Sequence, residues 1–451
     1  CGPDTYNIHV GATNQSACTQ CPDHSSTVGR IRLDHPGGSD GCICESNYYD
    51  HNLLPSRDLP PDCRLCPLGV NCYYDGITRE TLNLMAGHFR PNSSSTDVQR
   101  CPDTSGCKGG NDPEFSCSPG LAGVFCKLCA SNLVADGQLL STNMSGNSTF
   151  PDDGRVYYVA ASGEEAAKCD DCRQLGNSPV ILAFIIVILL IAMSTALLFT
   201  YRWRRRERFD SIASVWYASH VTVKLKILIS FYLIAVRIDN VYGITLPEEV
   251  TALLNLFAIG VSLGLGWLKS PFECMRMGGY VTWLGFWMLL PPLALVVIVC
   301  VTATYLQAHK RLTATTLLSY ALPAGLWAWF LLYPIVTNIA FEVFSCYIFD
   351  EGSWLRADVM IRCSTSEYTS PEYEHALRIA WVAIILYPIG MIVLNAALLL
   401  AARKSITGKT AGQPSILAEA CAFVWRDYSP LFFWWELIEM LRRFMLVGLA
   451  L

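Results

Sequence analysis

SPVILAFIIVILLIAMSTALLFTY, residues 178–201, runs directly into RWRRRERFD, residues 202–210, and this junction decides how the rest of the chain is read. An apolar run of roughly 23 residues without a charge matches the hydrocarbon core of a bilayer, so it predicts a transmembrane helix. Arg202, Arg204, Arg205, Arg206 and Arg208 follow it. Cationic residues beside a span are retained on the cytoplasmic side, which places everything before Pro179 outside the cell or in a lumen. The competing reading, a buried core helix with a solvated basic end, does not account for the further apolar runs downstream.

The average composition, 52% hydrophobic and 16% charged over 451 residues, conceals two different halves. Residues 1–176 hold 21 acidic and 12 basic side chains, a net of −9, whereas 177–451 carry a net of +4. Fifteen of the twenty cysteines lie in the acidic half: Cys1, Cys18, Cys21, Cys42, Cys44, Cys63, Cys66, Cys72, Cys101, Cys107, Cys117, Cys126, Cys129, Cys169 and Cys172. That density belongs to an oxidised scaffold too poor in apolar runs to bury an ordinary core. Asn14, Asn92, Asn143 and Asn147 head Asn-X-Ser/Thr sequons in the same half, and such sites are glycosylated only in the secretory pathway. A zinc reading of the CxxC pairs competes, but no histidines sit at ligand spacing. The chain begins at Cys1 without a signal peptide and ends inside the apolar run FMLVGLAL, so a trimmed N-terminus and further spans are expected.

CTQCPDHSSTVGR, GCICESNYYD and CRLCPLGVNC resemble the ephrin-receptor-like cysteine-rich repeat, and CSPGLAGVFCKLC, from Cys117 to Cys129, is similar to the end of an EGF-like module. The expected organisation is an ephrin-receptor-like module over 1–100 and an EGF-like module with a glycosylated insertion over 101–176. The first span and its basic stop-transfer signal follow at 177–210. A helix bundle over 211–402 includes an outer loop, 346–375, in which Cys346 and Cys363 can form a disulfide. Residues 403–430 read as a cytoplasmic elbow, amphipathic in its second part, and 431–451 as the last span. The fold class is therefore a multi-pass α-helical membrane protein with a small disulfide-rich ectodomain.

Two segments, 221–238 and 250–268, are weak. If both cross, His309-Lys310-Arg311 and Arg403-Lys404 fall outside, against the positive-inside rule; if one is interfacial, both clusters fall inside. Cys274 then faces outside, either to pair with the odd ectodomain cysteine or to remain a free thiol. Pro291, Pro292, Pro323 and Pro334 predict kinks.

KILISFYLIAVRIDNVYGITLP, LLYPIVTNIAFEVFSCYIFDEGSWLRADVMIRC and YSPLFFWWELIEMLRRFMLVG together resemble the multi-pass region of TRP-like proteins of eukaryotic microbes. The resemblance implies a cation-conducting subunit that assembles as a homo- or hetero-oligomer in the plasma membrane or an endomembrane. The alternative is a surface receptor, adhesion protein or accessory subunit without conduction, whose cysteine-rich region binds an extracellular protein or glycan. Nothing reads as catalytic, cofactor-binding or nucleic-acid-binding: no GxSxG, HExxH or phosphate-loop pattern appears. Charges near apolar runs remain as candidate pore or coupling residues, because a charge in hydrocarbon is costly. They are Glu342, Glu436, Glu439, Arg442 and Arg443, with Glu439 expected to pair with Arg442 and Arg443 as an interfacial collar.

Overall fold

The computed structural model describes residues 3–6, 14–27, 42–52, 60–112, 116–131, 156–161, 165–175, 269–275, 277–366, 368–407, 415–426 and 428–449, with the single positions Lys224, Leu228, Phe231 and Val250. The first predicted span with its arginines, nearly all of the two weak segments, Cys1, Asn143 and Asn147 lie outside the described residues. Two compact units are distinguished: Cys1–Gln174 together with Tyr347–Trp354, and Leu175–Cys346 together with Leu355–Leu451.

The first unit consists of short antiparallel ribbons. They pair β1 (Thr5–Tyr6) with β2 (Thr19–Gln20), β3 (Ser25–Ser26) with β4 (Ile43–Cys44), and β5 (Tyr48–Asp50) with β6 (Cys63–Leu65). Further along, β7 (His88–Phe89) pairs with β8 (Gln99–Arg100), β9 (Leu121–Ala122) with β10 (Leu128–Cys129), and β11 (Val156–Val159) with β12 (Lys168–Asp171). None is long enough to be stable alone. Disulfides between cysteines near in sequence hold them: Cys21–Cys42, Cys44–Cys63, Cys66–Cys72, Cys101–Cys107, Cys117–Cys126 and Cys129–Cys169. Cys18, Cys172 and, in the second unit, Cys274 are also disulfide-bonded, so the free-thiol reading of Cys274 is set aside. The apolar core is small, built on Tyr49, Val70, Cys72, Leu82 and Leu84.

Two polar nodes do what the thin core cannot. Arg90 is completely buried, and its guanidinium donates to the carbonyls of Arg79 (2.8 Å), Glu80 (2.9 Å), Ser93 (3.2 Å) and Asn111 (3.2 Å). One side chain thereby satisfies loop carbonyls that have no ladder partner. Asp103 accepts from the Ser105 amide and hydroxyl (3.1 and 2.6 Å), the Tyr158 hydroxyl (3.3 Å) and the Ala161 amide (3.0 Å), which fastens β11 to the 101–107 loop. Burial pushes the Asp103 carboxyl up, yet these bonds more than offset it and hold it below its ordinary value.

The second unit is helical: α1 (Lys269–Cys274), α2 (Tyr280–Ala308), α3 (Ala314–Phe341), α4 (Pro371–Ile384), α5 (Gly390–Thr407), α6 (Ile416–Ala420), α7 (Ala422–Trp425) and α8 (Trp435–Leu449). Helix starts are written in the sequence. Thr313 caps α3 in a reciprocal capping box with Thr316, and Ser370 caps α4 ahead of Pro371, Glu372 and Glu374. Three helical stretches among the described residues are long and apolar enough to cross a membrane: Tyr280–Ala308, Ala314–Phe344 and Pro371–Thr407. The apolar window of the second is 72% buried, against 33% and 39% for the others, which makes α3 the axis of the bundle.

Pro291 and Pro292 lie inside α2, Pro323 and Pro334 inside α3, and a π turn containing Pro388 spans Ile385–Ile389 between α4 and α5. Pro292 has no N–H to give the Met288 carbonyl, and the Tyr387 hydroxyl from the π turn donates to that carbonyl instead. Within 403–430, helix α5 continues to Thr407, and Ala418, Cys421 and Val424 are fully buried against Leu399, Ala402 and Ile406 while Ser415, Ile416 and Glu419 are exposed. Small side chains let α6 approach α5 closely.

Replacing Arg90 by Lys, which cannot reach four carbonyls, should lower the stability of the first unit by about 3 kcal/mol, read from thermal unfolding of the whole chain. Asp103 should make the same unit acid-labile. Its folded pKa lies below 3.8, so its contribution is complete above that value and is lost as pH falls through the folded one. Asp103→Asn should flatten that acid limb of the melting-temperature profile.

Candidate functional site

Helix α8 carries two ion pairs with opposite surroundings. Glu439 and Arg442 meet at 2.8 Å on the outer side, with 25% and 51% of their side chains exposed. Glu436 and Arg443 lie 3.5 Å apart with only 1% and 11% exposed. The expected pair of Glu439 with Arg443 is replaced by one spanning seven residues. Seven residues are nearly two full turns, so Glu436 and Arg443 share the face that also buries Met440, whereas Glu439 and Arg442 point away. The second carboxylate oxygen of Glu436 accepts from the Tyr428 hydroxyl at 2.8 Å. Glu436 is the only carboxylate buried among the described residues.

Arg443 borders a small cleft of about 20 Å³ lined by Tyr333, Pro334 and Thr337 of α3, Pro388 of the π turn and Ile392 of α5. Pro334 of α3 and Pro388 of the π turn therefore border the same guanidinium. Its Nε finds no acceptor among the described residues. Thr337 turns its hydroxyl back to the Tyr333 carbonyl at 2.7 Å, as hydroxyls inside helices do, and adds no charge to the cleft. Among the described residues no group of three or more metal-ligating side chains occurs. The arrangement holds a charge pair whose carboxylate also accepts from the Tyr428 hydroxyl.

A second constellation lies in the first unit. β13 (Cys346–Phe349) and β14 (Gly352–Leu355) form a two-stranded sheet whose residues Tyr347–Trp354 cluster with the cysteine-rich chain. Phe349 packs against Phe89 (6.2 Å), Phe125 (5.4 Å) and Trp354 (5.6 Å), and Tyr347 meets Phe125 edge-on at 4.6 Å. The Lys127 ammonium lies 2.8 Å from the Tyr347 hydroxyl and over its ring. Polar contacts fix the register: Gln99 donates to the Ile348 carbonyl (2.7 Å), Ser95 to Glu351 (3.0 Å), and the Asp350 amide to Asp97 (3.3 Å). Phe125 reaches this position with φ 55°, and Cys126 follows at 58°. Consecutive left-handed conformations at bulky residues cost energy and persist where surrounding contacts over-determine them. The disulfide Cys346–Cys363 joins the start of β13 to the stretch beyond β14.

The remaining candidates are dispersed. Glu342 is half-buried at the C-terminal cap of α3. Asn14 is exposed and accepts from the Ser16 amide at 3.3 Å, while Asn92 is half-buried and accepts from the Ser94 amide and hydroxyl at 2.9 and 2.8 Å. Sequence reasoning missed Tyr333, Phe125 and Lys127, whose partners lie far away in the chain, and Tyr428, which is near Glu436 in sequence but separated from it by an irregular stretch that helical spacing does not cross.

Glu436→Gln should destabilise the bundle by about 3–5 kcal/mol, because it strands a buried guanidinium. Glu439→Gln should change it by less than about 1 kcal/mol. Thermal unfolding of the purified chain in lipid or detergent checks both. In comparisons with known proteins, no protein family, no curated protein and no solved structure matches this chain.

Proposed function

We propose that this chain is a multi-pass membrane subunit of TRP-like type, conducting cations as part of an oligomer, with its cysteine-rich unit outside the cell or in a lumen as the sensing or assembly part. One observation carries the coupling half of this reading: the hairpin Tyr347–Trp354, which follows α3 and precedes α4 in the chain, is built into the aromatic cluster of the cysteine-rich unit. A load applied to that unit is transmitted through covalent backbone to the end of α3 and the start of α4. Those helices carry Tyr333, Pro334 and the π turn that border the Arg443 cleft. Three long apolar helical stretches support membrane insertion. The conducting half is supported by the sequence resemblance. Disulfides and the sequons at Asn14 and Asn92 favour an oxidising compartment for the first unit. The basic clusters at 309–311 and 403–404 favour the cytosolic side for the opposite ends of the helices.

The test reconstitutes the full-length protein in liposomes and measures cation flux, first unmodified and then with Phe349→Ala. Aromatic contacts of this kind contribute about 0.5–1.5 kcal/mol each beyond area burial, so removing the central ring should loosen the hairpin and change flux several-fold. Absence of flux from the intact protein overturns conduction and leaves the receptor alternative. Flux that is unaltered by Phe349→Ala overturns coupling through the hairpin. Treatment with an endoglycosidase should shift the mass of the native protein if the sequon-bearing unit faces the lumen.

A further inference from the structure

The segment from 415 to 449 is one helical element interrupted in the middle. Its first half, α6 and α7, seats Ala418, Cys421 and Val424 on α5, and Phe423 packs against Trp327 and Phe330 of α3 at 5.2 and 5.4 Å. Its second half, α8, packs Phe444 against Phe341 at 5.9 Å, further along the same α3. Between the halves lie Arg426 and residues 428–434, with a short 3₁₀ turn starting at Pro430. Irregular backbone inside a bundle persists only where side chains satisfy and pin it. Tyr428 and Glu436 do so here: the hydroxyl of the break bonds the carboxylate of α8, and that carboxylate faces Arg443 two turns on.

The energetics suit a reversible closure. A buried ion pair contributes little net stability while closed, because desolvation offsets attraction, yet removing one partner is severely destabilising. The pair is also looser, at 3.5 Å, than the exposed pair at 2.8 Å on the same helix. A contact kept for stability alone would be better served by apolar side chains of similar volume.

We propose that Tyr428, Glu436 and Arg443 form a releasable latch across this discontinuous helix. Closed, it pins 428–434 and keeps α6–α7 seated on α3 and α5. Released, α6–α7 leave that seat and uncover Cys421, a free thiol that is fully buried here. The inference rests on the packing of the bundle and holds whether or not ions pass, so failure of the flux experiment leaves it standing.

Cys421 is the natural reporter. The full-length chain carrying Cys300→Ser, which removes the exposed free thiol Cys300, is reconstituted in lipid vesicles and labelled with a membrane-permeant maleimide without reductant. Labelling of Cys421 should be slow, and Glu436→Gln or Arg443→Gln should accelerate it on the order of a hundredfold. Tyr428→Phe should accelerate it about tenfold, and Glu439→Gln should leave it unchanged. A parallel chain with Cys300→Ser, Cys421→Ser and Ala380→Cys places the thiol at a fully buried site in α4, whose labelling Glu436→Gln should not alter. Unchanged Cys421 labelling in the charge variants overturns the latch. Equal acceleration at position 380 also overturns it, since the bundle then unfolds as a whole. If Glu436→Gln does not accumulate, Tyr428→Phe, which changes no charge, decides the question by the same readout.

Discussion

The insertion of one hairpin into a cluster of aromatic rings is the interaction on which the organisation of this protein depends. A unit with a small apolar core and ribbons of two to four residues has little surface to offer a partner, so a few rings must supply most of the contact. Phe89 and Phe125 provide them, and Tyr347, Phe349 and Trp354 complete the layer from far downstream in the chain. The left-handed backbone of Phe125 and Cys126 is the cost of aiming that ring, and the disulfide Cys117–Cys126 helps to hold it there.

The two units solve the same problem, satisfying polar groups with little water-excluding core to spare, by different means. In the cysteine-rich unit, Arg90 serves loop carbonyls and Asp103 serves loop donors, while disulfides restrict the unfolded chain. In the helical unit the backbone satisfies itself, and the exceptions created by proline are met by hydroxyls, as at Tyr387 and Met288. Buried polar groups remain at several places in this unit, among them Trp287, Asn395 and the Glu436–Arg443 pair, and the pair is where buried charges of opposite sign meet.

Much of the architecture was legible in order along the chain. The cysteine density, the sequons and the acidic balance marked a disulfide-built N-terminal unit, and the apolar runs 279–305, 315–347 and 376–402 marked long helices, which the structure has at Tyr280–Ala308, Ala314–Phe344 and Pro371–Thr407. Helix starts at Thr313 and Ser370 follow from side chains that accept their own amide hydrogens, a property confined to a few neighbouring residues. The candidate charges at 436–443 were legible as a group for the same reason, since helical periodicity places them within two turns.

Which of those charges is buried was decided by tertiary structure. Glu436 and Glu439 have the same chemistry and almost the same neighbours in sequence, but α8 turns the first towards Tyr333 and Met440 and the second towards the exterior. The departure of Tyr347–Trp354 from the helical unit, the seating of α6–α7 in the bundle and the π turn at Pro388 are likewise consequences of contacts between residues distant in the chain. Local propensity and periodicity describe what a segment can become. Selection among those possibilities depends on burial and on which distant donor meets which acceptor, and these exist only once the chain has folded.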